Sequence, residues 1–147
     1  MGILTIFLAL HAISTIAMFG LIWFVQLVHY PLFHGVGLDG FALYESNHLR
    51  RTAWIVAPLM CVEAVTSVAL VFFFHEDWTR FVAVLGAVSV AVNWLSTLFI
   101  QVPCHRRLTE GYDAVVAQRL VTTNWLRTIC WTCRAPLAVA LLFAAET

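Results

Sequence analysis

His29, His34, His48 and His105 fall at the ends of long apolar runs or in the segments that join them. Asn124, Glu45 and Asp113 lie at similar depth, and imidazole nitrogen and carboxylate oxygen together form a donor set for iron, zinc, copper or manganese. Imidazoles from three segments, with coordination positions left open, suit a catalytic metal. His29, His48 and His105 are therefore candidate metal ligands, and Glu63 a candidate ligand or proton acceptor. The alternative is that these histidines hydrogen-bond lipid headgroups and loop backbone. The chain has no H-E-x-x-H motif and no pair of the Glu-x-x-His motifs found in di-iron bundles. A second grouping places His11 and His75 toward the opposite end. With His29 and His105 they would fit a two-haem b-type cytochrome, since axial histidine pairing is geometrically permissive. His75 beside Glu76 and Asp77 also reads more simply as a solvated loop residue.

The elements that must position these groups are four apolar runs, Ile3–Phe33, Ala53–Phe74, Phe81–Cys104 and Leu120–Ala145. Each exceeds the roughly 20 helical residues that cross a hydrocarbon core. The expected fold is all-α, a single-domain bundle of four transmembrane helices. A chain of 147 residues that is 62% hydrophobic and 11% charged does not compose a soluble domain. Net charge is zero, and no basic patch is dense enough to suggest nucleic acid as a partner. The partners expected are the lipid bilayer, a lipophilic small molecule or quinone, and further copies of the chain. The N-terminal run is too long for a signal peptide and lacks a basic leader.

All eight basic residues are arginines. Arg50 and Arg51 precede the second run, and Arg106, Arg107 and Arg119 lie between the third and fourth. The segment between the second and third holds only Arg80, beside Glu76 and Asp77. The positive-inside rule then places the first and third loops in the cytoplasm and both termini outside, as in a bacterial inner-membrane protein. Pro31 is expected to end the first helix, Gly35–Asn47 to form a loop on the membrane surface, and Pro103 to end the third helix. Thr109 is a candidate cap for the fourth.

Polar residues recur at helical spacing within every run. The first offers His11, Thr15, Gln26 and His29, and the second Glu63, Thr66 and Ser67. The third offers Asn93, Thr97, Gln101 and His105, and the fourth Asn124, Arg127, Trp131 and Arg134. A stripe on every helix implies a shared polar interior, and ionisable groups at membrane depth usually mark a site. At 1.5 Å per residue, Glu63 lies ~16 Å inside its run, between Arg127 at ~10 Å and Arg134 at ~20 Å. Glu63 is expected to pair with one of them. Arg127 and Asn124 together could orient an oxyanion or a substrate oxygen. Cys130 and Cys133 form a C-x-x-C, which reads either as a quinone-coupled thiol pair or as buried, inert thiols.

Gln101-Val-Pro-Cys-His-Arg-Arg-Leu108, Asn124-Trp-Leu-Arg-Thr128 and His29-Tyr-Pro31 resemble runs of the anthrone-oxygenase-like family of small four-helix membrane proteins. The resemblance implies a membrane enzyme acting with oxygen on an aromatic or lipophilic substrate. It carries over to His29, Asn124 and Arg127, while His105 stands where that family has asparagine.

Three functions compete on these residues. The first is a membrane oxidoreductase using iron or copper, or haem b, on a lipophilic substrate or quinone near the cytoplasmic interface. The second is an electron carrier that holds haem b, with His11, His29 and His105 as cofactor ligands. The third is a small transporter or channel subunit, with Glu63, Arg127 and Arg134 as a buried relay.

Overall fold

The computed structural model describes residues 2–144, with the side chain of His34 outside that description, as is Ala145 at the end of the fourth apolar run. The helices are α1 (Ile3–Phe24), α2 (Leu38–Phe73), α3 (Asp77–Ser96), α4 (Val102–Leu108) and α5 (Ala114–Ala144). Two π-helical turns extend the odd-numbered spans, Val25–His29 after α1 and Thr97–Gln101 between α3 and α4. A 3-10 turn, Pro31–Gly35, completes the first span. Counted through these turns the four spans are 31, 36, 32 and 31 residues, each long and apolar enough to cross a membrane. A helix of that length is about 45 Å long, so each projects beyond a hydrocarbon core of about 30 Å.

The spans pack as a square. α1 lies against α2 and α5, and α3 lies against the same two, which leaves α1 opposite α3 and α2 opposite α5. Loops one and three therefore share one end of the bundle. Large side chains such as Trp54, Phe72 and Phe99 stand on the outside, where lipid makes apolar exposure cheap. Inside, three apolar layers separate polar ones. Tyr30, Phe33, Phe41 and Leu108 pack at the loop-one end, Met18, Ile22, Met60 and Trp131 at the middle, and Leu8, Leu70, Val82 and Leu141 at the far end.

Three local expectations are corrected. Gly35–Asn47 is not a surface loop, because α2 starts at Leu38 and runs unbroken past Gly40. The glycine falls in the first turn of a helix whose Phe41 and Glu45 are buried, and that packing outweighs its low propensity. Pro103 does not end the third span. It sits in the first turn of α4, where a missing N–H is tolerated. Thr109 ends α4, and the cap of α5 is Asp113, whose Oδ1 accepts from the Val115 and Val116 amides at 2.9 and 3.1 Å. Between them Gly111, at φ 147°, supplies a backbone conformation that side chains disfavour.

Candidate functional site

Both π turns end two residues before a proline, at Pro31 and Pro103. A proline ring presses on the carbonyl four residues back, and a widened turn relieves that contact. The widened turns hold Gln26 and His29 on one span and Thr97 and Gln101 on the opposite one. His105 follows on α4, while Glu45 and His48 come from the start of α2.

These residues build a buried hydrogen-bonded line. His105 Nδ1 bonds Glu45 Oε1, and the Tyr30 hydroxyl lies 3.4 Å from His105 Nε2. With Nδ1–H directed at the carboxylate, Nε2 of a neutral ring is an acceptor, so the Tyr30 hydroxyl donates to it. Glu45 is wholly buried and Tyr30 nearly so. The order Glu45, His105, Tyr30 is that of a base, an imidazole that passes protons, and a hydroxyl. His48 and His29 stand beside it. Their rings stack at 4.1 Å, and the His48 ring is 5.5 Å from that of His105. The three imidazoles expected to converge do so.

Convergence does not yet make a ligand set. Ring nitrogens direct their lone pairs in the ring plane. Stacked planes 23° apart run those directions side by side, while Thr52 Oγ1 lies 3.2 Å from His48 Nδ1. Among the described residues no group of three or more His, Cys, Asp or Glu is arranged to hold a metal ion. His29 Nε2 and Glu45 Oε2 are nonetheless buried without a hydrogen-bond partner.

Deeper in the bundle lies a second centre. Arg134 Nη1 donates to Glu63 Oε1 at 2.7 Å, and Trp131 Nε1 lies 3.0 Å from both carboxylate oxygens. Arg134 Nη2 donates to Ser67 Oγ at 3.2 Å and reaches Thr15 Oγ1 at 3.5 Å. These bonds join α2 to α5 across the diagonal and so lie on the bundle axis. Of the two arginines expected as partners for Glu63, the structure selects Arg134. Glu63 is fifteen residues beyond His48, about 22 Å along α2, so it stands apart from the histidine cluster rather than among its ligands. His11 is also apart. Its Nδ1 bonds Thr66 Oγ1 at 3.2 Å, and because Thr66 donates to the Val62 carbonyl, the imidazole is the donor. His75 is exposed in the loop after α2. His11 is thus at a different depth from His29 and His105, as expected, but it bonds Thr66 inside the bundle while His75 lies in the exposed loop.

Arg127 lies between the two centres. Gln26 donates to the Val121 carbonyl, Asn124 donates to Gln26 Oε1 at 2.8 Å, and Arg127 Nη1 donates to Asn124 Oδ1 at 3.0 Å. Its guanidinium sits 5.1 Å from the Trp131 ring centre, a cation–π contact. Arg127 also lines a cleft of about 210 Å³ between the first three spans. Tyr30, His48, Thr52, Thr97, Gln101 and His105 supply the rest of its polar wall. Cys61, Cys104, Cys130 and Cys133 are free thiols.

Tyr30 is absent from the residues singled out in the sequence as site members, and Glu45 is read there only as a carboxylate at the depth of the histidines, not as a ligand or partner. The signal for Glu45 is the single Glu45-x-x-His48 spacing, which puts both on one face once residues 38–52 are read as helix. Comparison with family models, curated proteins and solved structures gives no match.

Proposed function

We propose that this four-helix membrane protein is a small proton-handling transport subunit whose interior relays charge between the two ends of the bundle. The observation that carries this reading is the axial series of buried polar groups, Glu45–His105–Tyr30, then Arg127–Asn124–Gln26, then Glu63–Arg134. A bundle that only had to cohere would be served as well by apolar packing, because desolvation of a buried ion pair offsets its attraction. Glu45, His105 and Tyr30 exchange protons by their chemistry. Arg127 and Arg134 keep theirs and lower the cost of negative charge beside them. Four spans enclose little space, so a continuous path would be completed in an oligomer.

The test is proton flux into vesicles loaded with a pH-sensitive dye under an imposed potential. Flux should exceed that of protein-free vesicles and fall at least tenfold with Glu45→Gln. Equal flux with and without protein, at either sign of potential, would overturn the reading.

The closeness of the His29, His48 and His105 rings to one another, with the carboxylate that meets His105 keeping Oε2 without a partner, favours a second reading, the metal-dependent oxidoreductase, in keeping with the family resemblance. Bound metal would require the stacked rings to turn. Elemental analysis and an absorption spectrum test it. Each histidine-to-alanine change should reduce occupancy in parallel, and a metal-free, haem-free protein after purification from supplemented cells would exclude it.

A further inference from the structure

Arg127 is 7% exposed, and among the described residues no carboxylate lies within ion-pair distance of it. Its Nε has no hydrogen-bond partner, and neither has the buried Oε1 of Gln101 on the same cleft wall. An isolated charge at depth is costly, and the usual remedy is a counter-ion. α5 spans 31 residues, and Arg127 is thirteen residues into it. With the helix centred on about 30 Å of hydrocarbon, the guanidinium lies about 12 Å below the surface. The amide chain through Asn124 and Gln26 holds it there.

The cleft at this guanidinium is walled mainly by apolar groups such as Ile22, Val56, Met60 and Trp94. Ala53 and Ala57 line it too and are exposed on the lipid side, so its mouth opens sideways. We infer that this cleft takes the carboxylate head of a single-chain lipophilic acid, paired with Arg127, with the chain leaving past Ala53 and Ala57 into the bilayer. A guanidinium matches a carboxylate with two parallel N–H donors. The head of a two-chain phospholipid would have to sink the same depth with both chains following, and about 210 Å³ does not hold it. The inference deepens the transport reading by naming what could travel beside the proton, but binding does not depend on flux.

Binding is measured with no gradient, so its failure and the failure of proton transport are separate results. The full chain in lipid nanodiscs is titrated with a fluorescent polyene fatty acid, against empty discs, and challenged with oleate, methyl oleate and lysophosphatidate. Oleate should displace the probe at least tenfold more strongly than the other two. Arg127→Gln should weaken probe binding at least tenfold. Ala57→Trp, which blocks the mouth from an exposed position and leaves every buried bond in place, should abolish it. Equal displacement by methyl oleate would show that charge is not read. Equal displacement by lysophosphatidate would show that the carboxylate is not read. Undiminished binding to a folded Ala57→Trp protein would place the ligand elsewhere. Any one of these three results overturns the inference.

Discussion

Glu63 and Arg134 meet at 2.7 Å across the bundle diagonal, with side chains only 2% and 1% exposed. Removing one charge leaves the other buried and uncompensated. Glu63→Gln should therefore cost about 3–5 kcal/mol. Combining Glu63→Leu with Arg134→Met should recover most of the loss, because apolar packing of similar volume replaces both charges. Thermal unfolding in detergent checks both. A Glu63→Gln protein that melts with the wild type would show that the pair contributes nothing to stability.

Tyr30→Phe removes the hydroxyl that faces His105 and little else. Stability should fall by about 1 kcal/mol, the usual contribution of one hydrogen bond. Proton flux, in contrast, should fall at least tenfold if Tyr30 hands protons on from His105 along the relay. A variant that is destabilised yet fully conducting would remove Tyr30 from the path.

The arginine distribution predicts which end faces the cytoplasm. In a protein with its native cysteines replaced, Thr109→Cys should react with an impermeant thiol reagent only after the cells are opened. Glu76→Cys should react in intact spheroplasts. The reverse pattern would invert the bundle and place the histidine cluster at the outer surface.

Asp113 caps α5 through two backbone amides. Asp113→Ala should cost about 1 kcal/mol, read from the unfolding midpoint, and should leave proton flux unchanged. Asp113→Asn should be nearly silent, since its side-chain oxygen accepts the same bonds.

The four-span bundle and its polar interior were legible in the sequence because both depend on composition and on a simple helical period. Depth along the helices narrowed the partner of Glu63 to Arg127 or Arg134 without choosing between them. The partner of Glu45 was not legible, because three glycines between Gly35 and Gly40 read as a loop. Only the packing of Phe41 and Glu45 against the third and fourth spans makes that segment helical. The same limit hid the role of Tyr30, which reads as a residue before a proline until His105 is placed opposite it. Glu63 was also read as a candidate ligand beside the histidines, although it lies deeper in its run. The unbroken α2 separates them, because the histidine end of that helix projects beyond the expected span.

The two π turns have a geometric effect on the whole bundle. Asn93, Thr97, Gln101 and His105 recur at intervals of four. At about 100° per residue each interval overshoots a full turn by about 40°, so three of them drift by about 120°. A plain α-helix would carry His105 a third of the way round, toward lipid. A π turn takes up one extra residue and so rewinds the later part by roughly 100°. Thr97–Gln101 cancels the drift in the third span. Val25–His29 does the same in the first, where Ile22, Gln26 and Tyr30 follow the same interval. The two widened turns thus act as matched phase corrections on opposite corners of the square. Inserting one further residue within either one would swing His105 or Tyr30 off the axis and open the line from Glu45, whereas deleting one would return a plain α turn that leaves their phase unchanged.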